Sequence, residues 1–121
     1  MENHGAQSLV VTCMDFRLQE AINKWIDDHL SPKTFDRVAF AGGVKNLDAI
    51  LTQIDIAARL HHIKKVVLIN HEDCGAYGET GTLEKHAGDL KIAKAQVNET
   101  YPNLAVETYY LHLDNTFELI I

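Results

Sequence analysis

The chain has 121 residues, 46% of them hydrophobic and 23% charged. That balance fits one compact domain over residues 1–121 and excludes long disorder. Eleven basic against seventeen acidic residues leave a formal charge of −6 with no basic block, which excludes a nucleic-acid partner.

In chain order, residues 7–12 form a short apolar, β-branched run and predict a first strand. Leu18, Ala21, Ile22, Trp25, Ile26 and His29 recur at helical spacing and predict an amphipathic helix ending near Ser31-Pro32. Residues 36–41 predict a second strand, closed by Gly42-Gly43. A second helix follows, with Leu47, Ile50, Leu51, Ile54, Ala57 and Ala58 on one face. Residues 65–70 predict a third strand, whose apolar run Val66-Val67-Leu68-Ile69 is continuous, as in a strand covered on both faces. A loop over residues 71–81 leads to a third helix from Leu83 to Tyr101, stopped before Pro102. Residues 105–110 and 117–121 predict two more strands, with Asp114-Asn115 supplying a turn that makes the last strand antiparallel.

Alternating strands and helices specify an α/β fold: four mostly parallel strands plus a C-terminal antiparallel one, with helices on both faces. No apolar run approaches the roughly 18 residues of a membrane span, so no membrane partner is expected. Residues 1–5 carry neither a cationic nor an apolar leader segment. The two cysteines, Cys13 and Cys74, are remote in sequence, make no disulfide framework and fit a reducing cytoplasm. There is no Cys-x-x-Cys redox pair and no Gly-x-Gly-x-x-Gly after the first strand.

Ligands of parallel sheets bind beyond the carboxyl ends of the strands. Cys13, Gly42, Gly43 and His71 all fall there. If the first and third strands are neighbours, Cys13, His71 and Cys74 can meet. Two thiolates and one imidazole suit Zn²⁺ and leave a fourth position for water. Asp15 projects toward the same region, and Arg17 can hold its carboxylate in an oriented pair. Asp15 can then face zinc-bound water or take the fourth position itself. Gly75 allows close backbone approach or a positive φ. Gly42-Gly43 serves as a strand-to-helix turn or a substrate contact. Glu72 and Asp73 read as solvated loop charges, with Asp73 alternatively a support to one of the ligands. His61-His62 reads as a helix end favoured by the dipole. Trp25, Tyr109 and Tyr110 read as core or interface.

Cys13-x-Asp15-x-Arg17, Ala41-Gly42-Gly43 and His71-x-x-Cys74-Gly75, in that order, resemble the β-class carbonic anhydrases over nearly the whole chain. The resemblance implies reversible hydration of carbon dioxide to bicarbonate through zinc-bound hydroxide. Cys13, His71 and Cys74 would hold the zinc, with Asp15 and Arg17 as the catalytic dyad. Gly42, Gly43 and Gly75 are the candidate substrate contacts. It also implies a homodimer or larger homo-oligomer, toward which the apolar residues 117–121 point. His4, His61, His62, His86 and His112 are candidate proton carriers. Ala39 and Phe40 stand where the family commonly carries Arg-Asn, and an upstream substrate-binding glutamine has no counterpart. Two alternatives therefore stand beside hydration: a zinc-binding relative without hydratase activity, and hydrolysis of a CO₂ analogue such as carbon disulfide.

Overall fold

The computed structural model describes residues 4–121. Residues 1–3, part of the stretch read above for a leader, lie outside the described residues.

Strands β1 (Ser8–Thr12), β2 (Phe35–Ala39), β3 (Lys65–His71), β4 (Ala105–Leu111) and β5 (Phe117–Leu119) form one sheet in the order β2-β1-β3-β4-β5. The first four are parallel and β5 pairs antiparallel to β4, as the sequence predicts. β1 and β3 are direct neighbours, with Ser8 opposite Lys65 and Val11 opposite Leu68. From β1 the chain crosses first to β2 on one side and later to β3 on the other. The crevice at this reversal opens beyond the carboxyl ends of β1 and β3.

Side chains alternate across the sheet, so each inner strand feeds two cores. Leu9, Val11, Val66 and Leu68 pack with Ile50, Ile54 and Ala57 of helix α2 (Leu47–His61) and with Leu90, Ala93 and Val97 of helix α3 (Leu83–Thr100). Val10, Val67 and Ile69 face the other way, against Leu18 and against Ile22, Trp25 and Ile26 of helix α1 (Gln19–His29). Burial on both faces explains why β1 and β3 read as unbroken apolar runs. Trp25 lies over the β4–β5 hairpin, edge-on to Tyr109 at 5.5 Å and stacked with Phe117 at 5.9 Å.

Helices α2 and α3 start at side-chain caps, whereas α1 continues from Leu18 without one. Asn46 accepts from the Ala49 N–H at 3.3 Å and Thr82 from the Lys85 N–H at 3.1 Å. Several boundaries differ from the sequence reading by one or two residues, three of them near strand ends. β2 ends at Ala39 rather than residue 41, because Gly42 turns the chain at φ 83°. β3 runs one residue further and includes His71, paired with Leu111. β5 stops at Leu119, although the Ile120 N–H still reaches the Thr108 carbonyl at 2.9 Å.

Ile54 is fully buried and Ile92, on α3, is 60% exposed. Ile54→Ala is expected to cost about 2–5 kcal/mol, and Ile92→Ala less than about 0.5 kcal/mol. Urea unfolding followed by the fluorescence of the lone Trp25 checks both.

Candidate metal centre

Cys13 is the first residue past β1, His71 the last of β3, and Cys74 sits in the turn after it. All three are buried, and one ligand atom from each lies within 4.8 Å of the others. The two sulfurs are 4.0 Å apart and both thiols are free. Tetrahedral Zn²⁺ with Zn–S bonds of about 2.3 Å sets its sulfurs roughly 3.8 Å apart, so this spacing suits such an ion.

The histidine supplies a second test of fit. Its Nδ1 lies 2.7 Å from the Glu72 carbonyl oxygen, which only accepts, so Nδ1 carries the proton. Nε2 is left with a lone pair, buried and without a hydrogen-bond partner. An orphaned buried nitrogen is costly unless it meets a ligand. A ring oriented by a carbonyl on one nitrogen and open on the other is the usual arrangement of a metal-bound imidazole. The donor set Cys₂His therefore fits zinc.

Backbone geometry also favours thiolate at Cys13. Burial pushes this thiol up, but the neighbouring His71 ring and the Gly42 and Asp15 backbone outweigh it and bring it down to about 7. The Gly42 N–H points at the sulfur from 3.3 Å. Burial raises Cys74, and the neighbouring Cys13 raises it further. For His71, burial favours the neutral ring, but the neighbouring Cys13 and the Glu72 carbonyl prevail and raise it.

Asp15 and Arg17 sit on the rim. The Arg17 Nη2 donates to Asp15 Oδ2 at 2.7 Å, its Nε to both carboxylate oxygens at 3.2 Å, and its backbone N–H to Oδ1 at 2.9 Å. These bonds hold the Asp15 carboxyl down to about 2. Asp15 Oδ2 stands 3.8 Å from His71 Nε2, beside the three-atom cluster and paired with Arg17.

Several contacts here were not legible in the sequence. Asp73, read as a solvated charge, takes the other side of Arg17: its Oδ2 accepts from Nη1 at 3.0 Å and its carbonyl from Nη2 at 2.8 Å. Its φ of 57° turns that carbonyl into place. Arg17 thus ties the end of β1 to the turn carrying Cys74. Gln19 donates to the Cys13 and Asp15 carbonyls at 3.2 and 2.8 Å, and no motif marks it.

Gly42 and Gly43 adopt φ of 83° and 61°, the left-handed region that favours glycine. Gly75 corrects the sequence reading: its φ is not positive, and an added Cβ would meet nothing within 4 Å. Two of the five candidate proton carriers are also displaced. His86 is fully buried, and burial holds it down to about 4. His61 pairs with Asp36 at 2.6 Å, at the amino-terminal end of β2 and away from the site. His112 lies nearer, with Nε2 2.8 Å from Glu118 Oε1 and Nδ1 3.9 Å from Glu72 Oε1.

Residues 3–121 match a family model described as "Putative carbonic anhydrase". An uncharacterized protein of Rickettsia conorii is 31% identical, over 95% of this chain and 72% of its own length. Among solved structures, a carbonic anhydrase from Glaciozyma antarctica superposes with a TM-score of 0.72 at 18% identity, over 100% of this chain and 85% of that one. A β-carbonic anhydrase from Trichomonas vaginalis gives 0.71 at 19%, over 100% and 87%. A carbon disulfide hydrolase gives 0.57 at 15%, over 93% and 76%. At these identities the structural likenesses establish the shared fold.

Arg17→Ala is expected to let the Asp15 carboxyl rise from about 2 toward its ordinary 3.8. A carboxyl depressed in the folded state adds stability above its unfolded pKa and loses it as pH falls through the folded one. The wild type therefore loses, between about pH 4 and 2, stability that the variant lacks. Carboxyl ¹³C NMR titration of the metal-free protein, beside acid unfolding, checks both.

Proposed function

The chain belongs to the carbonic anhydrase family, and from that premise we propose that it catalyses reversible hydration of carbon dioxide to bicarbonate, with Cys13, His71 and Cys74 holding Zn²⁺. The observation that carries the reading is the His71 Nε2 lone pair, buried without a partner and facing two thiols. The zinc would supply the Lewis acidity that activates water near neutral pH.

The residues around it have distinct tasks in this reading. Cys13 and Cys74 bind as thiolates and His71 through Nε2, its Nδ1–H anchored on the Glu72 carbonyl. Asp15, ionised by its pairing with Arg17, presents Oδ2 beside Nε2 as a fixed acceptor for a proton of the attacking water. Asp73 holds Arg17 from the far side, so the Asp15 carboxylate keeps its orientation. Backbone groups of Gly42, Gly43 and Gly75 contact substrate, and the open space beside Gly75 leaves room for it. Residues 1–121 act as one domain in a reducing cytoplasm, where free thiols persist. A homodimer or larger homo-oligomer covers Met14 and Phe16, which flank Asp15 and are 63% and 86% exposed.

One observation favours a second reading. Phe40 and Ala41, with Leu47 and Ala76, line a cavity of about 510 Å³ whose other walls are Lys45, Asn46 and Asp48. An apolar wall suits a sulfur analogue of carbon dioxide such as carbon disulfide.

Stopped-flow CO₂ hydration by zinc-loaded protein is expected to exceed the buffer rate. Asp15→Asn and Arg17→Ala should lower kcat/KM about 10²-fold while retaining one zinc per chain. Cys74→Ser should lose the metal. Zinc uptake without hydration at any pH from about 6.5 to 9 would refute the CO₂ reading. A parallel carbon disulfide assay then separates the sulfur-analogue enzyme from a zinc-binding relative without turnover.

A further inference from the structure

Asn70 precedes His71 on β3 and points to the opposite face, toward α3. It is 1% exposed, so its amide must be satisfied by protein. Three partners do this. Oδ1 accepts from the Val44 N–H at 3.1 Å, and Nδ2 donates to the Tyr77 hydroxyl at 3.1 Å and to His86 Nδ1 at 2.9 Å. The Val44 N–H can only donate, so it fixes which end of the amide carries oxygen. Behind it, the Tyr77 hydroxyl donates to Asp89 Oδ2 at 2.8 Å, and the Tyr77 ring packs on Cys13 and Cys74.

The turn at residues 42–45 has two consecutive left-handed glycines. It is closed internally by Gly43 N–H to the Phe40 carbonyl at 2.9 Å and Lys45 N–H to the Gly42 carbonyl at 3.1 Å. Neither bond attaches it to β3. The attachment is the Asn70–Val44 bond, made at such close range that a Cβ on Gly43 would collide with Asn70 Oδ1. In this position the turn aims the Gly42 N–H at the Cys13 sulfur.

We infer that Asn70 is a positioning residue, which locks the turn at residues 42–45 onto β3 and so keeps the Gly42 N–H on the Cys13 sulfur. The inference rests on the reading of Cys13 as a metal ligand. An N–H aimed at a ligating sulfur draws charge from it, so the metal retains more Lewis acidity than two unassisted thiolates would leave.

The test has two arms. In the first, amide hydrogen exchange is followed by NMR on ¹⁵N-labelled metal-free protein. Asn70→Ala should speed exchange at Gly42 and Val44 about tenfold, the equivalent of one buried hydrogen bond, and leave Val97 in α3 unchanged. Gly43→Ala displaces the turn from the other side and should do the same, so it carries the test if Asn70→Ala does not fold. In the second arm, Co²⁺ replaces zinc, and the sulfur-to-cobalt charge-transfer band should move to longer wavelength in both variants as the sulfur becomes richer in charge. Unchanged exchange at Gly42 and Val44 overturns the inference, as does faster exchange with an unmoved band. If wild-type protein takes up no Co²⁺, the metal reading fails, and the exchange arm still decides whether Asn70 positions the turn.

Discussion

Two sulfurs and an imidazole nitrogen, all withdrawn from water, share a space less than 4.8 Å across at the carboxyl edge of the sheet. Most of the surrounding structure serves that convergence. β1 delivers Cys13, its neighbour β3 delivers His71, and the turn beyond β3 folds back to bring Cys74 within 4.0 Å of the first sulfur. A buried nitrogen with no partner is tolerated only where the fold gains something by it. Here the three atoms form a candidate ligand set whose spacing and chemistry suit zinc.

Electrostatics around the cluster is organised by one guanidinium. Arg17 bonds Asp15 on its own strand end and Asp73 across the crevice, so two segments 56 residues apart are cross-linked at the rim. Its side chain is 39% exposed, and an isolated pair so placed contributes little to stability. Its importance is geometric: bonds to both Asp15 oxygens leave that carboxylate ionised and restricted in direction. Arg17 therefore acts on the direction of Asp15 more than on stability.

A second polar layer lies beneath the cluster on the α2 and α3 side. Asn70, Tyr77, His86 and Asp89 form a connected chain of side-chain hydrogen bonds within an otherwise apolar core. Such networks specify one arrangement through the members that are satisfied, and here His86 Nε2 is left without a partner. Asn70 uses both amide hydrogens and its oxygen. The site is thus supported from below by the network and closed at the rim by Arg17, while its neighbour Phe40 lines the adjoining cavity.

The sequence by itself determined the order and type of all five strands and three helices. Their apolar positions recur at periods imposed by local backbone geometry, and burial on two faces leaves continuous apolar runs at β1 and β3. The clustering of Cys13, His71 and Cys74 was legible for a related reason: metal chemistry restricts residue type, and the spacing from His71 to Cys74 is local. What only the tertiary structure decided depends on directions that no period encodes. Solvated loop charge and salt-bridge partner are the same residue at Asp73 until φ turns positive and Arg17 arrives from another strand. Gly43 reads as a turn or a substrate contact until Asn70 is placed beneath it, and Gly75 reads as constrained until open space is found beside it. His86 reads as a candidate proton carrier until the packed fold buries it against Asn70 and Tyr77, because contacts between remote segments are fixed by how the layers stack.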